Sequence, residues 1–388
     1  MPKIAFYYAH QEDMGHAVHL LRLINELKRR GLRKNEIFVF QAGKRQRILE
    51  SRRDITLIQI PLPFYSKKNL RVPVEVSAED SRERAGFLIS RLSAIKPDVF
   101  VTEFFPFGRL ACGAELSLAL SYLKREGAKI YASVPAPYFS HPAEAVGELF
   151  DFCRYYDRLL IHTPVSPDLD LMAKYIPLEK RISRGQFLRV FEKLSPKIKF
   201  TGYMMDKTAP ATSRKKLIIF TRGAGTTSFN LLACGIRARK LVDSSYKFLV
   251  VCGPATDGKE LARLRRLARG EKAVIVKKEE PHLVRLLARA AVCVSSGGQT
   301  VYELLRLGTK AVISPFSGYP GHERADQTAR AALLKNLAGA SVLDENSLSP
   351  EKLAREINKQ LAAPKPQAAP AKLFYGAEIS ADILLEGI

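Results

Sequence analysis

Hydrophobic and polar positions follow two alternating spacings along the chain. Short runs rich in β-branched and aromatic residues have the length and composition of buried strands: KIAFYYA, EIFVFQAG, ITLIQIP, PDVFVTEF, AKIYASVP and DRLLIHTP. Between several of them lie segments with apolar residues at helical spacing, such as HAVHLLRLINELKRRG, which closes on a glycine. This alternation predicts a parallel α/β sheet with helices near residues 79–95, 109–126 and 141–154.

A second cycle of the same kind begins near residue 215. Its strand-like runs, each separated from the next by a helical segment, are KKLIIFTRGAG, YKFLVVCGP, KAVIVKK, AAVCVSSGG, KAVISPF and ASVLD. The predicted fold class is therefore α/β, with two tandem Rossmann-like, doubly wound domains at residues 1–205 and 215–362. A Pro/Ala-rich linker and a closing amphipathic helix occupy residues 363–388.

Length and composition agree with this division. At 388 residues the chain is too long for one ordinary core, and 46% hydrophobic residues leave ample material for two. No apolar run reaches 18 residues and the N-terminus enters a strand pattern directly, so we expect a cytoplasmic protein. The five cysteines form no CxxC pair, which favours buried thiols over metal or disulfide roles.

The net charge of +23 is the unusual feature of the composition. It predicts attraction to anionic partners, which include nucleic acid, an anionic membrane face and phosphorylated substrates. Solvated basic helix faces are the simpler explanation, because Lys and Arg are spread along many amphipathic segments. The absence of a zinc-finger or RNP-like motif and of tryptophan disfavours a nucleic-acid-binding protein.

Ligands of open α/β sheets bind beyond the carboxyl ends of the strands, so the loops after strands are the places to search. In HQEDMGHAVH, after the first strand, Gly15 permits a tight turn and His16 begins a helix, where it is a candidate base with Asp13 nearby. In TEFFPFGR, after the fourth strand, Glu103 and Arg109 are the polar candidates. The alternatives are a solvated or capping histidine and a hydrophobic plug.

A glycine-rich turn follows the first strand of the second cycle. TRGAGTT opens a helix and is able to present backbone N–H groups to a phosphate. A lone GxG is a weak signal, and the loop lacks the lysine of a P-loop. The candidates here are Arg222, Gly223, Ala224, Gly225 and Thr226.

Two further loops come about twenty residues apart in neighbouring β/α units, so their tips should lie close together. SSGGQTVYELL offers Gly297, Gly298, Gln299, Thr300 and Glu303, and the loop before DQTARA offers His322, Asp326 and Gln327. Thr300 and Glu303 also have the spacing of a capping box, which would merely begin a helix. DLDL at 168–171 looks like a metal-binding Asp-x-Asp, but its setting after Pro167 is typical of a helix N-cap, so no metal is predicted.

The runs VSSGGQTVYELLRLGTKAVISPF, DQTARA and LAGASVL resemble the nucleotide-sugar-binding segment of glycosyltransferases with the GT-B architecture. They look most like the branch that contains the bacterial N-acetylglucosaminyltransferase of the lipid-linked peptidoglycan precursor. MGHAVHLLRLINELKRRG matches that branch's Gly-His turn, and TEFFPFGR is similar to a motif of uncharacterised predicted glycosyltransferases of the group. The resemblance implies two Rossmann-like domains facing each other across a cleft.

The resemblance also implies an activity and residue roles. The activity is inverting, metal-independent transfer of a sugar from a nucleotide diphosphate sugar, here a UDP-sugar, with no further cofactor. By resemblance, Glu303 binds the ribose hydroxyls, Asp326 and Gln327 contact the sugar hydroxyls, and His16 lies near the donor diphosphate and the acceptor hydroxyl. Two departures stand out: Gly-Thr-Lys at 308–310 in place of Gly-x-Pro, and Arg330 in place of the common Asn.

The acceptor is left open by the sequence. A lipid-linked acceptor at the anionic cytoplasmic face of the inner membrane would suit the basic charge, and a glycan or another hydroxyl acceptor is the alternative. A nucleotide-sugar epimerase or hydrolase of the same fold is the competing activity. A basic nucleic-acid-binding protein is the hypothesis from a different class.

Overall fold

The structure is a computed structural model that describes residues 2–9, 15–61, 77–165, 168–180, 182–225, 227–316 and 325–386. The chain divides into two compact units. Unit 1 comprises Met1–Val165, Lys180–Met204 and Tyr375–Ile388, and unit 2 comprises Ser166–Glu179 and Met205–Phe374. Each unit is built on one parallel sheet.

Unit 1 contains a seven-stranded parallel sheet in the order β3-β2-β1-β4-β5-β6-β7. The strands are β1 (Ile4–Ala9), β2 (Ile37–Ala42), β3 (Thr56–Gln59), β4 (Val99–Glu103), β5 (Lys129–Val134), β6 (Arg158–Ile161) and β7 (Ile198–Phe200). β1 lies between β2 and β4, with Ile4 opposite both Ile37 and Val99. Every residue of β1 and β4 is buried, because helices cover both faces of a doubly wound sheet.

Unit 2 contains a six-stranded parallel sheet in the order β10-β9-β8-β11-β12-β13. The strands are β8 (Leu217–Thr221), β9 (Lys247–Val251), β10 (Val274–Lys277), β11 (Val292–Ser295), β12 (Ala311–Ile313) and β13 (Ser341–Val342). β10 lies at an edge and is only partly buried, whereas β11 is buried throughout. The predicted pair of Rossmann-like α/β domains is therefore confirmed.

Helices connect the strands in both units. In chain order they are α1 (Gly15–Arg29), α2 (Arg47–Glu50), α3 (Ala78–Ile95), α4 (Gly113–Arg125), α5 (Val146–Cys153), α6 (Asp168–Lys180), α7 (Arg184–Leu194), α8 (Phe229–Arg237), α9 (Gly258–Leu267), α10 (Leu283–Arg289), α11 (Thr300–Leu307), α12 (Ala325–Ala338), α13 (Pro350–Ala362) and α14 (Gly376–Glu386). Single 3₁₀ turns lie at Lys34–Glu36, Leu110–Cys112, Ala143–Ala145, Ala238–Leu241, Glu345–Ser347 and Ala371–Phe374. No helix among these described residues combines the length and apolar character needed to cross a membrane.

Two segments lie outside the unit that their position in the chain suggests. Residues 166–179, which include most of α6, belong to unit 2 although they precede residue 205. The closing helix α14 belongs to unit 1, where it packs on α1. Its first residue, Gly376, donates its N–H to Tyr203 O, and a Cβ there would lie 2.3 Å from Gly202 O, so the contact requires glycine.

A fully buried ionic network holds α3 and α4 of unit 1 against β1. The Arg84 guanidinium donates to both carboxylate oxygens of Glu115, and Tyr7 donates its hydroxyl to the same carboxylate. Arg84 also donates to Pro61 O at 3.0 Å. Because Arg84 is 0% exposed and Glu115 3% exposed, each charge depends on the other for its stability in the interior.

Three buried histidines in unit 1 carry no charge at neutral pH. The His162 ring lies between Ser133 Oγ at 2.9 Å and Thr201 Oγ1 at 2.8 Å, and it packs against the His19 ring. Burial lowers the pKa of His162 to about 3 and that of His141 to about 4, and it lowers the pKa of His19 well below its ordinary value. These groups make folding sensitive to acid.

We expect the free energy of unfolding to fall as the pH drops below about 6.5. The unfolded chain then binds protons at imidazoles that the folded chain keeps neutral down to about pH 3–4, so acid favours the unfolded state. Each such histidine should cost roughly 1–2 kcal/mol between pH 6.5 and pH 5, measured by urea denaturation.

The variant His141→Phe isolates one of these contributions. Neither ring nitrogen of His141 has a hydrogen-bond partner in the described part of the chain, so the change removes a titrating group without breaking a hydrogen bond. The variant should lose less stability between pH 6.5 and pH 5 than the parent protein. His282→Gln, at an exposed position, is the control, and an unchanged slope for His141→Phe would contradict the prediction.

Candidate functional site

Each sheet has one point at which the strand order reverses. The chain proceeds outward from β1 to β2 and β3 and then returns to place β4 on the other side of β1; β8 and β11 repeat this arrangement in unit 2. Loops that follow the two strands at such a switch point diverge and leave a crevice at the carboxyl edge of the sheet. The predicted site residues after β1, β4, β8 and β11 that the structure describes therefore lie at the switch point of their own unit.

His16 and Glu103 meet at the switch point of unit 1. His16 is the second residue of α1, and its Nδ1 lies 2.7 Å from Oε1 of Glu103, the last residue of β4. The Glu103 side chain is 1% exposed and that of His16 is 23% exposed. Because the Glu103 carboxylate can only accept this hydrogen bond, Nδ1 carries the ring proton. The lone pair of the neutral ring is then on Nε2. The predicted Asp13 lies outside the described residues.

The loop after Glu103 forms an aromatic wall beside this pair. Phe104 and Arg109 both have a left-handed backbone, each with φ of 64°. The Phe104 ring lies 5.3 Å from the His16 ring, stacks on Tyr138 at 5.6 Å and lies under the Arg109 guanidinium at 5.5 Å. A Cβ at Gly108 would lie 2.3 Å from the Phe104 ring, so glycine is required there.

The structure agrees with the alternative of a hydrophobic plug for two residues of this loop, because Phe105 and Phe107 are 0% exposed. Two buried polar atoms, Glu103 Oε2 and Arg109 Nε, have no hydrogen-bond partner in the described part of the chain. Unsatisfied buried polar atoms are costly, so these two call for an explanation other than core packing. A functional role for Glu103 and Arg109 stays a prediction.

Three loops meet at the switch point of unit 2. The N–H of Gly223, which has φ of +74°, donates to Thr221 Oγ1 at 3.2 Å. The next loop approaches so closely that a Cβ at Gly253 would lie 2.3 Å from Gly223 O. From the loop after β11, Ser296 Oγ donates to Arg222 O at 3.3 Å. Gly223, Ala224 and Gly225 are half-buried at the edge of this cluster, and Thr226 lies outside the described residues.

Arg222 has a structural role in this cluster. Its guanidinium donates to Cys252 O at 2.7 Å and Thr256 Oγ1 at 2.9 Å, and it forms an ion pair with Glu260. The side chain is 0% exposed. These contacts join the loops after β8 and β9. Because the guanidinium donors are used in this way, the expectation that Arg222 contacts a ligand is corrected.

The Gly-Gly turn leads directly into α11. The residue at the N-cap position is Gln299, with helical φ and ψ of −58° and −23°, and no side chain caps the helix. Thr300 is the first helical residue, so the expected capping box with Glu303 is wrong. The N–H groups of Gly298 and Gln299 donate no hydrogen bond within the described part of the chain. A helix N-terminus with such donors attracts anions.

The turn after β11 contacts the first turn of α12; residues 317–324, between β12 and α12, lie outside the described residues. Gly297 has φ of +85°, and a Cβ there would lie 3.1 Å from Gln327 O. Gln327 is 5% exposed, and its Oε1 accepts a hydrogen bond from Phe316 N at 3.0 Å. Asp326 pairs with Arg330, which lies one helical turn later. His322 lies outside the described residues, and Glu303 is half-buried in the first turn of α11.

Residues that sequence reasoning did not assign to the site support this cluster. Arg330 donates its Nε to Gly297 O at 3.0 Å, and Tyr302 donates its hydroxyl to Asp168 Oδ1 at 3.2 Å. The i,i+4 spacing of Asp326 and Arg330 was a usable signal for their ion pair. Nothing local marks the contact of Tyr302 with Asp168, 134 residues earlier. Among the described residues, no group of three or more His, Cys, Asp or Glu side chains could hold a metal ion.

Residues 217–383 match the Glycosyltransferase family 28 C-terminal domain. The chain is also similar to the UDP-N-acetylglucosamine--N-acetylmuramyl-(pentapeptide) pyrophosphoryl-undecaprenol N-acetylglucosamine transferase of Agrobacterium fabrum, with 38% identity over 95 residues. That alignment covers 23% of this chain and about a quarter, 24%, of the relative's length.

Two solved structures share the fold over the whole chain. The MurG structure of Acinetobacter baumannii has a TM-score of 0.58 at 15% identity and covers 99% of this chain and 100% of its own. The UDP-GlcNAc 2-epimerase of Neisseria meningitidis, bound to UDP-GlcNAc, has a TM-score of 0.54 at 12% identity with the same coverage. The predicted GT-B fold is confirmed over the whole chain, and the predicted resemblance to glycosyltransferases is found again in residues 217–383.

The two adjacent glycines that precede α11, Gly297 and Gly298, provide a matched pair of variants. Gly297→Ala should lower the free energy of unfolding by about 1–3 kcal/mol, because its φ is positive and the added Cβ presses on Gln327 O and Ile313 Cγ2. Gly298→Ala should be tolerated, since nothing lies within 4 Å of its Cβ position. Urea denaturation of both variants measures the difference, and equal stabilities would contradict the assigned backbone geometry.

Proposed function

Because residues 217–383 form a glycosyltransferase family 28 C-terminal domain, we propose that the chain transfers a sugar from a nucleotide diphosphate sugar to a hydroxyl acceptor. The observation that carries the proposal is the Gly297–Gly298 turn. It leads into α11, whose first turn contains Glu303, and it packs against Gln327 in the first turn of α12, beside Asp326. This arrangement lies within the segment that matches the family. We propose a UDP-sugar as the donor, in line with the donor named for the Agrobacterium relative.

In the proposed donor complex each part of the nucleotide sugar has its own group of residues. Glu303 accepts hydrogen bonds from the ribose hydroxyls, and Asp326 and Gln327 contact the hydroxyls of the sugar. The diphosphate lies against the N–H groups of the α11 N-terminus and the glycine turn at Gly223–Gly225. The partial positive charge of the helix N-terminus stabilises the leaving diphosphate, so the reaction needs no metal.

On the acceptor side, His16 is the proposed general base. Glu103 holds Nδ1 as the proton-bearing nitrogen, and Nε2 removes the acceptor proton. The acceptor oxygen then forms a bond to the anomeric carbon as the bond from that carbon to the diphosphate breaks. Such a single displacement inverts the anomeric configuration. UDP leaves with the bonding electrons, and the proton remains on His16.

We propose a lipid-linked acceptor at the anionic cytoplasmic membrane face. The acceptor named for the Agrobacterium relative is an undecaprenol diphosphate, and the net charge of +23 favours approach to an anionic surface. A nucleotide-sugar epimerase or hydrolase is the competing activity, because enzymes of that kind share the fold. Consumption of the donor in the absence of an acceptor distinguishes it from a transferase.

An activity assay with paired variants tests the base and the reaction class. UDP-sugars are supplied with and without lipid-linked acceptors in anionic or zwitterionic vesicles, and UDP release is measured. His16→Ala should lower kcat about 10²–10⁴-fold and change the Kd for the donor much less, because the base removes the acceptor proton. Glu103→Gln should lower kcat to a smaller extent, and His282→Ala is the matched control at an exposed position.

Three outcomes would contradict parts of this proposal. Rapid loss of the donor without any acceptor would favour the epimerase or hydrolase. A wild-type kcat for His16→Ala would show that His16 is not the general base. Equal rates on anionic and zwitterionic vesicles would count against an electrostatic membrane role.

The role of Glu303 is tested by comparing donor affinity with stability. Glu303→Ala should weaken UDP binding about 10–100-fold, because charge-assisted hydrogen bonds to ribose are lost. The loss of UDP affinity should exceed the loss of stability, since Glu303 does not cap α11. Calorimetric titration and thermal unfolding measure the two effects, with exposed Glu279→Ala as the control. Wild-type affinity combined with a lower melting temperature would reduce Glu303 to a structural residue.

A further inference from the structure

We infer that Arg330 is a positioning residue for the proposed donor site. It orients the Gly297 peptide group and the Asp326 carboxylate by donating to both. This inference rests on the proposed function, because it concerns how the same site presents its groups to a nucleotide sugar.

One guanidinium connects the turn after β11 to the first turn of α12. Arg330 lies in α12 and is 7% exposed. Its Nε donates to Gly297 O at 3.0 Å, in the turn after β11, and its Nη2 pairs with Asp326, the second residue of α12. The guanidinium is planar and its donors keep a fixed geometry, so both contacts are set together.

The contact with Gly297 O determines the direction of a backbone donor. The carbonyl of Gly297 and the N–H of Gly298 belong to one peptide group, and in a trans peptide they point in opposite directions. Arg330 holds the carbonyl toward itself, so the Gly298 N–H points away from the guanidinium. Within the described residues that N–H donates to no protein acceptor, which leaves it for a ligand.

The contact with Asp326 fixes the orientation of the proposed sugar-binding carboxylate. The Arg330 guanidinium forms an ion pair with Asp326 Oδ2 across one helical turn. A carboxylate accepts hydrogen bonds from hydroxyl groups through both of its oxygens, so its orientation decides which sugar hydroxyls it can reach.

Tyr302 contacts the Arg330 guanidinium and in turn donates to Asp168. Tyr302 is 1% exposed and donates its hydroxyl to Asp168 Oδ1 at 3.2 Å; Asp168, the first residue of α6, is 2% exposed. Burial, followed by the Asp168 carboxylate, raises the pKa of Tyr302 well above its ordinary value, and the neighbouring Arg330 opposes that shift. The phenol therefore stays protonated as a donor, and Asp168, Tyr302, Arg330 and Asp326 form one connected polar chain inside unit 2.

Four variants test this role. Arg330→Gln removes the charge, Arg330→Lys keeps it on a single nitrogen, and Tyr302→Phe removes only the supporting hydroxyl. Arg355→Gln, at an exposed position on α13, is the matched control. The measurements are the Kd for UDP and for the UDP-sugar that the wild-type protein binds, the KM of donor and acceptor, and the melting temperature.

We expect Arg330→Gln to weaken UDP-sugar binding at least about 10-fold and to weaken UDP binding less, because Asp326 contacts the sugar. The KM of the acceptor should stay at the wild-type value. Arg330→Lys should recover part of the loss, since one ammonium cannot reproduce a planar, two-directional contact. Tyr302→Phe should cause a smaller loss of the same kind, and the control should match the wild type.

The outcomes separate the inference from the proposed function. If the wild-type protein binds no nucleotide sugar, the proposed function fails and the inference fails with it. If the wild type binds but folded Arg330 variants bind UDP-sugar and UDP with wild-type affinities, the inference alone is overturned, even where their melting temperature is lower. If Arg330→Gln does not fold, the affinities of Arg330→Lys and Tyr302→Phe decide by the same criterion.

Discussion

The reversal of strand order beside β1 and beside β8 is the constraint on which both candidate clusters depend. In each unit the first strand lies in the interior of its sheet, and the fourth strand returns to pair with its other side. Loops that leave neighbouring strands in opposite directions cannot cover the sheet edge between them. His16 and Glu103 are 87 residues apart and are within hydrogen-bond distance because of this reversal. The same geometry brings the glycine turns after β8 and β11 together.

Buried guanidinium groups stabilise the loops around these edges. Arg84, Arg222 and Arg330 are 0%, 3% and 7% exposed, and each is paired with a carboxylate: Glu115, Glu260 and Asp326 respectively. Burying a charge is costly unless it is paired and hydrogen-bonded, and each of these arginines also donates to at least one backbone carbonyl. A chain with a charge of +23 therefore uses some of its arginines inside the fold rather than at the surface. Such buried pairs hold polar loops in one conformation.

Local signals and tertiary contacts gave different answers for the stretch at residues 295–305. Thr300 and Glu303 have the spacing of a capping box, yet the N-cap position belongs to Gln299 and Thr300 lies inside the helix. The Gly297 conformation is explained by a contact with the following β/α unit, since its Cβ would press on Gln327 O. A capping box therefore does not explain the position of Glu303 in the first turn of α11.

The sequence alone determined the strand and helix alternation and the two-domain α/β class, because buried strands and amphipathic helices have distinct periods. It also predicted the loops that carry the candidate residues, because tight turns need glycine. It did not reveal β7, whose three residues include only one fully buried side chain. Nor could it assign residues 166–179 and α14 to their units, pair His16 with Glu103, or reserve Arg222 for the protein interior. These features depend on contacts between residues far apart in sequence, and a local pattern of polarity does not specify which distant partner a buried polar group will meet.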